Sequence, residues 1–537
     1  MPENPDPAPA APSSAEDRAG RGTGADPRAV WPAVVAARRA RRQALLAPLT
    51  EGAGPPPARQ HITWVGDLQQ GDGGKGAMTD RLAAFHQVTA RVQGGDNAGH
   101  TTVFREADGD VRTVKNHLLP SGVRHPGVVG VVANGVLVNA ETLAREITEL
   151  SEIAPDLRRR LVLSDRAHLV LPSHREVDGR QESERDSSGD GIGTTRRGIG
   201  PANVSKANRM GIRVADLRDP VLLRRRLRQN ARFFGLPSDR AERDLAWLSR
   251  YTGLLLSLAG DSVTLLRSAV EAGYSVVLEG AQGPMLDVEH GVYPYVTTSP
   301  TAFYSVTSGS GLDGSLVGHR VGVLKAYQTM VGNGPFVTED REGLGDRLRR
   351  AGEEFGTTTG RSRRCGWLDL THARWAVSLN RYTSVVVTKL DVLDGFDRIG
   401  VCVSYAAPDG GHREFLPDNG HLARCSPVYC WLPGWRSPTR GLSRYEDLPV
   451  QARDFLSYVS DYLGVEVAAA GVGPAQREML VRPGSRLAAV MAHPGVVPPA
   501  RDGGARPARP GPAHPGTGSG ARDTGVPPPS APRTPPA

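Results

Sequence analysis

The run Gly66-Asp67-Leu68-Gln69-Gln70-Gly71-Asp72-Gly73-Gly74-Lys75-Gly76 carries the residue types that hold a phosphate. It follows an apolar, β-branched stretch at 61–65 and precedes a helix-like pattern at 77–85. Glycines let backbone N–H groups approach phosphate oxygens, and a helix start adds the positive end of its dipole. Lys75 supplies a point charge for a terminal phosphate. Asp72, set among the glycines, is placed to hold Mg²⁺ or to take a proton. The run departs from the Walker A pattern, which needs a glycine where Gln69 stands and a Ser or Thr directly after Lys75. A glycine-rich turn after a strand is often only a turn, so this loop alone identifies no activity.

Further strings of glycine and polar residues recur along the chain. They include Gln93-Gly94-Gly95-Asp96-Asn97-Ala98-Gly99-His100-Thr101, His117-Leu118-Leu119-Pro120-Ser121-Gly122 and Gly193-Thr194-Thr195-Arg196-Arg197-Gly198-Ile199-Gly200-Pro201. Arg209-Met210-Gly211-Ile212-Arg213-Val214, Glu279-Gly280-Ala281-Gln282-Gly283 and Tyr293-Pro294-Tyr295-Val296-Thr297 follow. Then come Glu354-Phe355-Gly356-Thr357-Thr358-Thr359-Gly360-Arg361, Cys365-Gly366-Trp367-Leu368-Asp369 and Thr388-Lys389-Leu390-Asp391. With the phosphate loop, in this order and at this spacing over residues 61–482, they resemble the signatures of adenylosuccinate synthetases. The loop of that family is usually written W-G-D-E-G-K-G.

The resemblance implies a GTP-dependent ligase that joins L-aspartate to IMP through a 6-phosphoryl intermediate, giving adenylosuccinate, GDP and phosphate. An amide-like oxygen is a poor leaving group, and phosphorylation turns it into a good one. In that scheme Asp72 removes the N1 proton and His100 donates toward the 6-oxygen and its phosphate. Lys75 stabilises charge on the moving phosphoryl group, and Gln282 joins these as a catalytic residue. Mg²⁺ falls to Asp72 and the carbonyl of Gly99. GTP falls to Gly71, Gly73, Gly74, Lys75, Gly76, Gly99, His100, Thr101 and Gly473, with Lys389 and Asp391 at the guanine. An aspartate there accepts from guanine N1 and its exocyclic amine together, which adenine cannot offer. IMP falls to Asp72, Asn97, Thr195, Arg209, Gln282, Thr297, Val331 and Arg361. Aspartate is clamped by Arg361 and Arg363, whose forks match carboxylates, with Thr357, Thr358 and Thr359 donating. Arg209 is expected to reach the neighbouring site of a homodimer.

The chain also departs from the resembled pattern. Gln70 stands where Trp is usual, Gly73 where Glu is usual, and Asp67 where Gly or another small residue is common. Ser362 and Met330 each replace an arginine, and Gly471 stands near Gly473-Pro474 where a serine is usual. At 300–306, Pro-Thr-Ala-Phe-Tyr-Ser-Val replaces a stretch of small residues. Its two rings are expected to displace volume near the nucleotide. These changes leave open an IMP-like nucleotide in place of IMP. A non-catalytic GTP-binding homologue is a further alternative.

A fold must position these residues, and residues 59–482 alternate strand-like and helix-like runs. Strands are predicted at 61–65, 127–132, 160–163, 275–278, 320–324, 384–388 and 400–404, and helices at 77–85, 140–153 and 370–379. This predicts an α/β catalytic domain over 59–482, with a large, mostly parallel central sheet flanked by helices. Segments 1–58 and 483–537 are rich in Pro, Ala, Gly and Arg. They hold too little apolar surface to offset the entropy of ordering them, so both are predicted disordered, save one helix near 31–46.

The formal charge is +8 over 537 residues, of which the two tails carry +1 and +4. That leaves little basic surface on the folded part and argues against nucleic acid as a partner. The run Arg38-Arg39-Ala40-Arg41-Arg42 reads as a solvated helix face. No apolar run approaches the roughly 18 residues of a membrane span, and no hydrophobic signal core opens the chain. The four cysteines form no C-x-x-C pair. Reduced thiols in a cytoplasmic protein are expected.

Overall fold

Short runs of Val, Leu, Ile and Ala build the centre of the molecule because they can be buried on both faces of a sheet. The computed structural model describes residues 27–492 apart from 53, 58, 107–108, 356–361 and 409–410, all within the unit Met1–Val497. Ten strands form the central sheet. They are Ile62–Asp67 (β1), Val88–Arg91 (β2), Val129–Val132 (β3), Leu161–Ser164 (β4), Ala259–Gly260 (β5), Val276–Glu279 (β6), His319–Lys325 (β7), Ser384–Thr388 (β8), Val467–Gly471 (β9) and Met479–Val481 (β10). Their spatial order is β10-β9-β8-β7-β1-β6-β2-β3-β4-β5. Neighbours run parallel except β9 and the edge strand β10.

Alternate residues of the central strands enter different cores. Trp64, Leu278 and Val387 pack in one, and Val65, Val277 and Val386 in another. That alternation is what a two-residue side-chain period gives when both faces are covered. After β1 the chain passes to β2 on one side, while β7, β8 and β9 are laid down on the other. The loops leaving the carboxyl ends of the strands therefore open a crevice beside β1, where α/β sheets bind ligands.

The strands predicted at 61–65, 127–132, 160–163, 275–278, 320–324 and 384–388 all lie in this sheet. The run at 400–404 belongs elsewhere, within Arg398–Ala406, which pairs antiparallel with Ser426–Pro433. Helices form at Lys75–Ala83 (α2), Ala140–Ser151 and Leu370–Asn380. Asn139 caps the second of these, its side chain accepting from the backbone N–H groups of Glu141 and Thr142.

The folded part exceeds 59–482 at both ends. Pro27–Gly52 (α1) is longer than the helix predicted near 31–46 and docks on the body. Leu49 is fully buried in the main core, Arg41 pairs with Asp261 at 2.8 Å, and Arg42 pairs with Glu271 at 3.3 Å. Two arginines of the basic run thus meet acids of the body, where a wholly solvated face was expected. At the other end Arg486–Met491 buries Leu487 and Val490. The expectation of disorder therefore fails for residues 483–492. The rest of both tails lies outside the described residues. Among the described residues no helix is long and apolar enough to cross a membrane.

Candidate active site

The loop from β1 to α2 turns sharply. Gly71, Asp72 and Gly74 have φ of +96°, +58° and +100°, a region glycine enters freely and aspartate at some cost. Neighbouring strand ends hold the loop in place. The Thr388 hydroxyl, at the end of β8, donates to the Gly73 carbonyl at 2.7 Å. Gly283, beyond β6, packs so closely that a Cβ there would lie 2.0 Å from the Gln69 carbonyl oxygen. Lys75 opens α2 almost fully buried, its Nζ donating to Asp67 Oδ2 at 2.8 Å.

This loop forms one wall of a cavity of about 1050 Å³. Gly71, Asp72, Gly73, Gly74, Lys75 and Gly76 line it, with Asn97, Gly99, His100 and Thr101 beyond them. Thr195, Gln282, Thr297, Val331, Arg363, Lys389 and Gly473 complete the predicted set that reaches it. Such a volume exceeds what one small ligand needs. Both amide atoms of Gln282, and the side-chain oxygens of Asn97 and Gln70, are buried with no partner among the described residues. Buried polar groups are normally paired, so these atoms mark where a ligand's polar groups would sit.

Two predicted residues stand apart from this cavity. Arg209 is exposed, with φ +61°, and does not line it. Asp391 does not line it either, although burial raises the carboxyl above its ordinary value, with Arg440 opposing. Thr357, Thr358, Thr359 and Arg361 lie outside the described residues.

His100 is held from beneath. Its strand, His100–Arg105, crosses α2 so closely that a Cβ on Gly76 would lie 2.7 Å from the His100 Cβ. Nδ1 donates to Glu279 Oε1 at 2.7 Å, which leaves Nε2 for the cavity. Arg91 and Glu279 are register partners across β2 and β6, and Arg91 Nη1 lies 3.5 Å from Glu279 Oε2. The Ser121 N–H adds a bond to Glu279 at 3.1 Å. Burial lowers the His100 imidazole below its ordinary value, Glu279 opposing and Arg91 and Lys75 reinforcing. For Glu279, burial acts to raise the carboxyl, but His100 and Arg91 outweigh it and bring the group down to about 2.

A second buried carboxylate, Glu354, organises the opposite wall. Lys325 Nζ lies 3.0 Å away, Lys389 Nζ 3.2 Å and Arg363 Nη1 2.5 Å, and the Tyr327 hydroxyl also donates to it. The other arm of Arg363 pairs with Asp72 at 2.9 Å. Arg363, the one described arginine of the predicted aspartate clamp, is thus already engaged by two carboxylates. Sequence reasoning assigned no role to Glu279, Arg91 or Glu354. The first and last appear in the quoted strings, but their buried partners come from other elements.

Asp72 is about one-third exposed at the cavity, and Gly99 lines it too. Among the described residues no group of three His, Cys, Asp or Glu converges. One carboxylate and one carbonyl suit a cation, such as Mg²⁺, that takes its remaining ligands from phosphates and water.

The departures sit differently from expectation. The Phe303 ring packs edge-on against buried Trp64, with centroids 5.2 Å apart, under the Arg320 guanidinium at 3.6 Å. Tyr304 donates to Asp287 at 3.0 Å. Neither lines the cavity, so the expected loss of volume near the nucleotide does not occur; the partly buried Phe303 ring packs against the core and the exposed Tyr304 ring sits at a polar corner. Met330 is buried, its sulfur 3.4 Å from Arg364 Nη1. Glu478 fills the place beside Gly473, where a Cβ would fall 2.5 Å from its carboxyl carbon.

Comparison with known proteins places this geometry in context. Residues 65–480 match the family model for adenylosuccinate synthetase. The adenylosuccinate synthetase of Syntrophus aciditrophicus is 41% identical over 425 residues, spanning 77% of this chain and 96% of that protein. That of Chlorobium limicola is 40% identical over 435 residues, spanning 79% and 98%. The fully ligated adenylosuccinate synthetase of Plasmodium falciparum superposes with a TM-score of 0.75 at 33% identity, covering 79% of this chain and all of that one.

The Glu279 cluster makes a pH-dependent prediction. The carboxyl falls from an ordinary 4.5 to about 2 in the folded state, so its stabilisation is present above pH 4.5 and is lost as pH falls toward 2. Glu279→Gln also strands buried Arg91, and should cost about 3 kcal/mol at pH 7. Urea unfolding of both proteins should show the gap narrowing below pH 4.5. A gap independent of pH would contradict the assignment.

Proposed function

The chain belongs to the adenylosuccinate synthetase family, ligases that form a C–N bond, and from that premise we propose that it joins L-aspartate to IMP with GTP as phosphoryl donor. The observation that carries the reading is the single cavity that gathers Asp72, Lys75, His100 and Gln282 beside the phosphate loop and faces them with Arg363 and Lys389. It supports a place in purine biosynthesis, and a cytoplasmic location is part of the same proposal.

GTP lays its β and γ phosphates along Gly71–Gly76, against the free N–H groups of the first turn of α2. Lys389 takes the guanine end; Asp391, which does not line the cavity, is assigned there by the family resemblance alone. Mg²⁺, held by Asp72 and the Gly99 carbonyl, would neutralise phosphate charge. Asp72 removes the purine N1 proton, which makes the 6-oxygen nucleophilic toward the γ phosphorus. Lys75 offsets the charge spread over the moving phosphoryl group. His100, backed by Glu279, presents Nε2 to the oxygen and phosphate. Polyphosphate charge opposite Nε2 counters Arg91 and Lys75 and favours the imidazolium that can donate. The partnerless amide of Gln282 is free to hold the purine. The amino group of aspartate then attacks C6 and phosphate leaves. An incoming carboxylate competes for the Arg363 fork and loosens its hold on Asp72.

A homodimer in which Arg209 reaches the neighbouring site belongs to the same proposal and rests on the family resemblance, with which the exposure of Arg209 is consistent; a monomeric, fully active protein in sedimentation would contradict this. The changes at Gln70 and Met330 keep an IMP-like nucleotide as the second reading. Full-length chain with GTP, Mg²⁺ and aspartate, offered IMP, dIMP, GMP and non-purine analogues, separates the two. Turnover with IMP supports the first, and turnover only with an analogue supports the second. Phosphate release with none of them refutes both. Asp72→Asn should lower kcat by about 1000-fold; a loss of tenfold or less removes Asp72 from the role of base.

A further inference from the structure

Asp67 takes no part in the chemistry above and does not line the cavity, yet its carboxylate gathers three donors from the phosphate loop. Oδ1 accepts from the Gln69 N–H at 2.8 Å, and Oδ2 accepts from the Gly73 N–H at 3.0 Å and from Lys75 Nζ at 2.8 Å. Its own carbonyl accepts from the Tyr382 hydroxyl at 2.7 Å, which fixes it at the end of β1. The Asp67 side chain is fully buried and that of Lys75 is 3% exposed. A cation so enclosed needs a buried counter-charge, and among the described residues Asp67 is the one that touches it.

The same carboxylate explains the glycine at position 73. A Cβ there would lie 2.6 Å from Asp67 Oδ2 and 2.9 Å from Val323 Cγ2. A side chain at 73 would overlap Asp67 most and would also have to push the Val323 methyl aside by a few tenths of an ångström. The two departures noted in the sequence, an acid at 67 and a glycine at 73, therefore occupy one space. We propose that Asp67 is a positioning residue for Lys75 and the phosphate loop, supplying from the strand end the volume and charge that a glutamate at position 73 would supply from within the loop. The loop turns three times through left-handed backbone at Gly71, Asp72 and Gly74. Asp67 bonds residues on both sides of those turns and so holds the loop in its binding shape before a nucleotide arrives, which lowers the ordering cost of binding.

The inference rests on the phosphate-loop reading, so its test uses two readouts that do not need turnover. These are the thermal midpoint and the calorimetric affinity for a non-hydrolysable GTP analogue with Mg²⁺, both on the full chain. Asp67→Asn keeps the shape and removes the charge. It leaves buried Lys75 unpaired, so it should melt below wild type and bind about tenfold more weakly. Asp67→Gly and Gly73→Glu should each melt lower and bind about tenfold more weakly, the first from an unpaired Lys75 and the second from overlap. The double variant should regain a midpoint above either single one and an affinity within about threefold of wild type. A double variant no better than Asp67→Gly, or Asp67→Asn binding as wild type does, overturns the proposal. A wild type that binds the analogue but forms no adenylosuccinate overturns the proposed function and leaves this test standing. A wild type that does not bind it leaves the decision to the thermal cycle.

Discussion

Buried charge balance beneath the cavity is the constraint on which the rest of the structure depends. Lys75, Arg91, Lys325 and Arg363 are all nearly or fully buried, and each meets a buried carboxylate. Asp67, Glu279 and Glu354 supply these partners. Removing one member of such a pair is costly because the other is left unpaired in a poor solvent for ions. The strands must therefore keep their register, since Arg91 meets Glu279 only because β2 and β6 align them. The fixed cations in turn define where anionic groups can be received.

The geometry also divides labour between backbone and side chains. Backbone left-handed turns and the start of α2 create the phosphate cradle, while side chains from distant strands hold it from below. Thr388, Asp67 and Gly283 come from three different strand ends, and each restricts the same loop. Such mutual restriction is how a strained conformation like that of Asp72 persists. Arg363 links the two walls, with one arm on Glu354 and the other on Asp72. In the proposed reaction that link lets entry of one substrate be felt at the residue that activates another.

Much of this was legible in the sequence where the physics is local. A strand, a glycine-rich turn and a lysine at a helix start lie within 15 residues, so the phosphate loop could be read directly. The parallel sheet followed from the alternation of apolar runs. What escaped depends on contacts distant in sequence. Val88–Arg91 is a four-residue strand ending in a charged residue, and nothing local marks Arg91 as the partner of Glu279. Val467–Gly471 is alanine-rich, which favours helix over strand when read alone. The segment before residue 59 reads as disordered by composition, yet Leu49 finds a place in the core. Phe303 and Tyr304 were visible as departures, but only the structure shows them turned away from the cavity, onto Trp64 and Asp287. Asp67 and Gly73 were each visible as anomalies, and only their shared space explains them.

In the proposed reaction one cavity activates the 6-oxygen of a purine nucleotide by phosphoryl transfer before aspartate displaces it. IMP labelled with heavy oxygen at the 6-position tests this most directly, with mass spectrometry of the phosphate released during turnover with GTP and aspartate. The label should leave in phosphate, one labelled oxygen for each C–N bond formed. Unlabelled phosphate, with the label lost to water, would contradict it.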